Sequence, residues 1–134
     1  MPNIDFFNLP WKEQWEWEKI QLPTVTRKFI DNAKTYAGKD FQLFNPALYN
    51  NDSNGKISWG DAASRIENYA CGLMSMGLGK QEMAGIMSAS GPYWTHADLA
   101  LACANGVSVA IYPTLSFKEV SYILNDSGSR FLFL

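Results

Sequence analysis

The spacing of apolar residues changes period several times along the chain, and each change marks an element. Val25, Phe29, Ile30 and Ala33 recur at steps of three and four. That spacing predicts a helix from a cap at Thr24 to about Ala37, closed by Gly38. Phe41-Gln42-Leu43-Phe44 then alternates apolar and polar like a strand. Residues 50–55 are a dense turn signal ending in Asn54-Gly55, and Lys56-Ile57-Ser58-Trp59 reads as a second short strand.

From there strands and helices alternate. Ser58 can cap a helix from about Trp59 to Met76, with Asp61 in its first turn. Ala62, Ile66, Tyr69, Ala70, Leu73 and Met74 lie at helical spacing, and Gly77 is the stop. Residues 83–89 form a short buried strand. Pro92 opens the next helix, where its missing N–H costs nothing, and Tyr93, Ala97, Leu101 and Ala104 share a stripe. Residues 107–112 form another strand, closed by Pro113. Ser116 and Glu119 make a capping box for a helix with Val120, Ile123 and Leu124 inward and Gly128 at its end. Residues 129–134 are the last strand.

This alternation over residues 56–134 predicts an α/β fold: a mainly parallel sheet, right-handed crossovers and helices on both faces. Phe131-Leu132-Phe133-Leu134 is apolar enough to lie inside such a sheet, with neighbours and cover on both faces. The simplest expectation is that more chain belongs after Leu134. Two regions follow: a Trp-rich arm, residues 1–23, and a sheet-forming part, residues 24–134. In the arm Trp11 and Trp15 are four apart and would share a helix face. The expected role of its indoles is to cap the domain. A partner contact is the sharper reading, and Glu13, Glu16 and Glu18 against Lys12 and Lys19 argue against an anionic membrane.

Composition narrows the classes. Apolar residues are 47% and charged residues 18% of 134, as in a globular domain with a real core. Eleven basic and thirteen acidic residues give a net charge of −2, with no basic run to bind nucleic acid. No run is long and apolar enough for a membrane span, and no leader is visible in the first residues, so the expected compartment is the cytoplasm. Cys71 and Cys103 sit among small residues of helical segments and are expected to be buried free thiols.

Catalytic constellations are mostly missing. Gly77-Leu78-Gly79-Lys80 is the nearest thing to a phosphate loop, but Met74 stands at the first glycine's place and Gln81 at the hydroxyl's. A helix C-cap explains those glycines better. His96 is the single histidine, flanked by Ser90 and Asp98. Residues 96 and 98 point apart on a helix and no nucleophile elbow precedes them, so no hydrolase triad forms and His96 is expected on the helix surface. In open parallel sheets ligands sit beyond the carboxyl ends of strands, which makes Ser88–Trp94 and Tyr112–Ser116 the loops expected to line a pocket. No catalytic, cofactor-binding or metal-ligating residue is assigned within the chain.

Several segments taken together carry a resemblance. Ile57-Ser58-Trp59 with Asp61 is similar to the strand-then-helix opening L-T-Y-x-E-L of the AMP-forming acyl-CoA synthetases, the adenylate-forming ligases. Gly106 to Pro113 is similar to their G-A-x-x-V-P-x-x-P segment, and Tyr122 to Phe133 to their Y-I-L-x-D-S-x-A-x-x-L-F segment. Tyr112-Pro113-Thr114-Leu115-Ser116 looks most like the long-chain fatty acid–CoA ligase branch. The resemblance covers about residues 24–134. Gln81-Glu82, Ala89-Ser90-Gly91 and Ala102-Cys103-Ala104-Asn105-Gly106 depart from the usual residues.

The resemblance implies the N-terminal subdomain portion of an adenylate-forming enzyme. It also implies ATP, Mg2+ and coenzyme A as cofactors of the parent enzyme and a fatty acid as substrate, with a parent that is cytoplasmic or membrane-peripheral. The family's Ser/Thr/Gly-rich loop with its lysine, its metal glutamate, its ribose aspartate and its C-terminal-domain lysine match nothing in these 134 residues. The chain by itself is therefore expected to be a scaffold, to bind none of these cofactors, to be inactive and to self-associate. The alternative from another class is a complete small flavodoxin-like binding or interaction module with no enzyme activity.

Overall fold

A computed structural model describes residues 24–49 and 54–134. The Trp-rich arm and most of the turn at 50–55 lie outside the described residues. Thr24 caps α1 (Val25–Thr35), its hydroxyl accepting from the Arg27 N–H. Phe29 and Ala33 are the buried positions, whereas Val25 and Ile30 remain exposed. β1 (Asp40–Leu43) leads to a single 3-10 turn at Pro46–Leu48 and then to β2 (Lys56–Ser58). Gly55, at φ +80°, makes the return, and its carbonyl accepts from the Phe44 N–H.

β2 does not join the parallel sheet. It pairs antiparallel with β1, Leu43 opposite Lys56 and Gln42 opposite Ile57. The expected alternation from residue 56 therefore contributes three parallel strands, not four: a strand of three residues following a tight return is paired by its own hairpin partner before any crossover can place it. Phe29, Phe41 and Trp59 pack ring on ring, with Phe41 and Trp59 centroids 4.4 Å apart, and join α1 and β1 to the start of the next helix.

That helix, α2 (Trp59–Ser75), begins at the Ser58 cap and buries Ala62, Ile66, Ala70 and Leu73. β3 (Met83–Met87), α3 (Pro92–Cys103), β4 (Val107–Ile111), α4 (Phe117–Ser127) and β5 (Phe131–Phe133) follow. The strand order is β4-β3-β5, all parallel. On one face Ala84 and Ile86 pack in a continuous core with Ile66, Ala97, Ala100 and Leu101 of α2 and α3. On the other, Gly85 admits α4: a Cβ there would lie 2.9 Å from Leu132 and 3.0 Å from Leu124. Helices thus cover both faces.

Coverage of the two faces is unequal. α3 buries residues almost all round, including Leu99, Ala100 and Leu101, rather than along the single stripe expected, because it lies between α2 and the sheet. α4 keeps its capping box and its left-handed Gly128 terminus yet buries no residue fully. β5 pairs with β3 alone, so among the described residues it is an edge strand.

Candidate functional site

The central strand β3 ends at Met87 and the chain turns through Ser88 to Gly91 into α3. Beside that turn is a cavity of about 300 Å³ whose lining includes Tyr69, Ser88, Tyr93, Trp94, Phe133 and Leu134. The first of the two expected loops is therefore at a pocket. The second, Tyr112–Ser116, meets a different groove: Leu115 lines it with Tyr122 and Ile123, while Tyr112 is 76% exposed. The two loops lead to helices on opposite faces, which carries them apart.

The turn after β3 is held by a residue well upstream. The Tyr49 hydroxyl donates to the Ser90 carbonyl at 3.0 Å, and its ring meets Tyr93 and Phe44 edge-on at 5.8 and 5.3 Å. Gly91 has extended backbone, so its requirement is space: a Cβ there would lie 1.9 Å from the Tyr49 hydroxyl. No side chain caps α3, and the Thr95 hydroxyl donates back to the Gly91 carbonyl.

His96 corrects the expectation of a surface histidine. Its side of α3 faces the core and the β1–β2 ribbon, and it is 0% exposed. Nε2 lies 2.9 Å from Oε1 of Gln42, which fits the tautomer that donates from Nε2; Nδ1 is buried without a hydrogen-bond partner among the described residues. Burial, and to a lesser degree the Arg65 charge, pushes its pKa down to about 4. Asp98 is engaged elsewhere, accepting from the Ser108 hydroxyl, and so does not orient His96, as expected.

The Gly77–Lys80 segment is a helix terminus. Gly77 has φ +90° and the Leu78 N–H reaches the Leu73 carbonyl. The Gly79 N–H donates to Glu82 at 2.8 Å, and Arg130 pairs with the same carboxylate at 2.8 Å. The Gly79 hydrogen bond and then Arg130 hold that carboxyl below its ordinary range. A carboxylate already occupies the place where a phosphate would need these donors.

The thiols also differ from expectation. Cys71 is exposed and Cys103 half-buried, with burial pushing the Cys103 thiol up. Both line one cleft between α1 and α2, because Cys71 falls on the α1-facing flank of α2 and not on the face that meets α3. Among the described residues no group of His, Cys, Asp and Glu could hold a metal ion. Among its described lining residues the cavity beside β3 has hydroxyls from Tyr69, Ser88 and Tyr93 and no cationic side chain. These residues do not by themselves fit a magnesium-bound triphosphate.

Comparison with known proteins decides the family. The AMP-binding enzyme family matches residues 31–134. The chain belongs to that family. Fatty acyl-CoA synthetase A of Dictyostelium discoideum is 30% identical over 123 residues, covering 78% of this chain and 18% of that protein. The peroxisomal long chain acyl-CoA synthetase 7 of Arabidopsis thaliana is 26% identical over 116 residues, covering 84% of this chain and 16% of that protein. This family member thus spans less than a fifth of either relative's length. Among solved structures, the N-terminal subdomain of Klebsiella oxytoca NpsA matches at TM-score 0.71 and 20% identity over 83% of this chain and 27% of that one. The anthranilate CoA ligase AuaEII, solved with anthranoyl-AMP, matches at TM-score 0.73 and 20% identity over 84% of this chain and 21% of that one. The fold is that of the N-terminal subdomain of adenylate-forming enzymes. No helix among the described residues is long and apolar enough to cross a membrane.

Proposed function

We propose that these residues serve a long-chain fatty acid–CoA ligase, and serve it as scaffold. The reaction is AMP-forming: a fatty acid carboxylate displaces pyrophosphate from ATP, and the thiol of coenzyme A then displaces AMP from the acyl adenylate. The observation that carries the reading is the family match over residues 31–134, and the scaffold role is supported by a cavity beside β3 whose described lining holds no cationic side chain. The long-chain branch is supported by the relatives' names and by Tyr112 to Ser116. Adenylate-bound structures with the same fold support ATP as the nucleotide. The cytoplasm, or a peripheral place on a membrane, is the proposed compartment.

ATP–pyrophosphate exchange tests the scaffold role. The 134-residue chain, given a long-chain fatty acid, ATP and magnesium, is expected to show none above a protein-free blank. Exchange that persists through purification would overturn it. The coding sequence beyond the Leu134 codon tests the ligase: a Ser/Thr/Gly-rich stretch ending in lysine supports it, and a stop codon sinks it.

A further inference from the structure

A cleft of about 530 Å³ lies apart from the strand ends. Its lining comes mainly from α1 (Phe29, Ile30, Ala33) and α2 (Ala63, Ala70, Met74), with Cys103 at the end of α3. Ile30 and Met74 are large apolar side chains that the described residues leave exposed there. Lys34 and Glu67 are the only charged side chains among the described lining residues, so these supply no convergent polar groups to orient a small ligand. Its need is apolar cover.

We propose that the cleft is filled by this chain's own Trp-rich arm, with Trp11 and Trp15 as the anchors. Position supports this first. The arm joins α1 directly at Thr24, so it leaves from one end of the helix that forms a wall of the cleft. Reach supports it next. α1 is about 16 Å long at 1.5 Å per residue. The nine links from Trp15 to Thr24 span about 14 Å as helix and up to about 30 Å extended, so the anchors reach any point along that wall. Charge is complementary along the α1 side: Arg27, Lys28 and Lys34 against Asp31 make α1 basic, whereas Asp5, Glu13, Glu16 and Glu18 against Lys12 and Lys19 make the arm acidic, with only Glu67 of the cleft's described lining opposing it. Each indole brings about 150–250 Å² of apolar surface to the cleft.

A second copy of the chain offers the same residues at a disadvantage. The tethered arm meets the cleft at an effective concentration on the order of millimolar, far above micromolar protein. Two copies also each carry a net charge of −2.

The two thiols in the lining are built-in reporters. Alkylation of Cys71 under native conditions, followed site by site by mass spectrometry, is expected to be about tenfold faster in the full-length Trp11→Ala/Trp15→Ala variant than in the parent chain. Equal rates would overturn the proposal. If that variant does not fold, Gln14→Cys keeps the test, because it leaves both indoles in place. Mild oxidation is expected to give an intrachain disulfide from position 14 to Cys71 or Cys103. Concentration-dependent dimers joined through position 14, or no disulfide to either thiol, would overturn it.

Discussion

Acid should destabilise this protein through His96 well before its carboxylates titrate. The imidazole is fully buried, with one nitrogen bonded to Gln42 and the other without a partner among the described residues. Protonation would place a charge on Nδ1 with no acceptor and Arg65 as a repelling neighbour, and the pKa is accordingly about 4 against 6.5 for a free side chain. Above pH 6.5 the residue is neutral folded and unfolded, and stability is indifferent to it. Between 6.5 and 4 the unfolded chain binds the proton and the folded chain does not, so unfolding becomes easier by about 1.4 kcal/mol per pH unit. The full loss is about 3 kcal/mol, a large part of the 5–15 kcal/mol typical of a domain. Urea unfolding at steps from pH 7.5 to 4.0, on the parent chain and on His96→Gln, measures it. The midpoint should fall steeply in the parent and much less in the variant, at constant m-value. Glu82 and Glu119, both held below 4.5, contribute their own losses in more acid solution but are common to both chains and cancel in the comparison. Parallel pH profiles would refute the reasoning.

Gly91→Ala should cost about 1–3 kcal/mol, because the Tyr49 ring must move and release Ser90. In the Tyr49→Ala background the same substitution should cost under about 0.5 kcal/mol, and equal costs in both backgrounds would count against the clash. The isolated chain should also self-associate through Phe117, Tyr122 and the β5 edge, since Phe117 is 86% and Leu134 84% exposed. Light scattering should show mass rising with concentration; a monomer throughout would argue that α4 and β5 are adequate surfaces as they stand.

How far the sequence could be read depended on the range of the interactions involved. Thr24, Ser58 and the Ser116–Glu119 box each act within three residues, and all three caps are where their residue types and spacing put them. The strand and helix periods of residues 83–133 are equally local, and the elements lie within a residue or two of expectation. Partners far apart along the chain were not legible. His96 meets Gln42 across 54 positions and Tyr49 meets Ser90 across 41. A lone histidine between a serine and an aspartate reads as surface or catalytic, because nothing nearby announces a glutamine from a different element. Gly91 carries no local signal either, although its hydrogen side is occupied by a tyrosine. Cys71 failed differently: its small neighbours do mark a packed face, but it lies one step round the helix from that face.

These long-range contacts share a direction. Both Gln42 and Tyr49 come from the segment around β1, and both grip α3 or the turn that starts it. The Phe29–Phe41–Trp59 cluster fixes the same segment to α1 and α2. The β1–β2 ribbon is therefore tied to the half-sheet by side chains rather than by the ladder, since β1 and β2 pair only with each other. A backbone ladder is cooperative along its length, whereas a side-chain anchor can be lost singly. The ribbon should then be the first part to loosen in acid, through His96, and the turn after β3 should loosen with it, through Tyr49. pH and single substitutions near β1 would then reach the cavity beside β3 by that route, through the Tyr49 contacts with Ser90 and Tyr93.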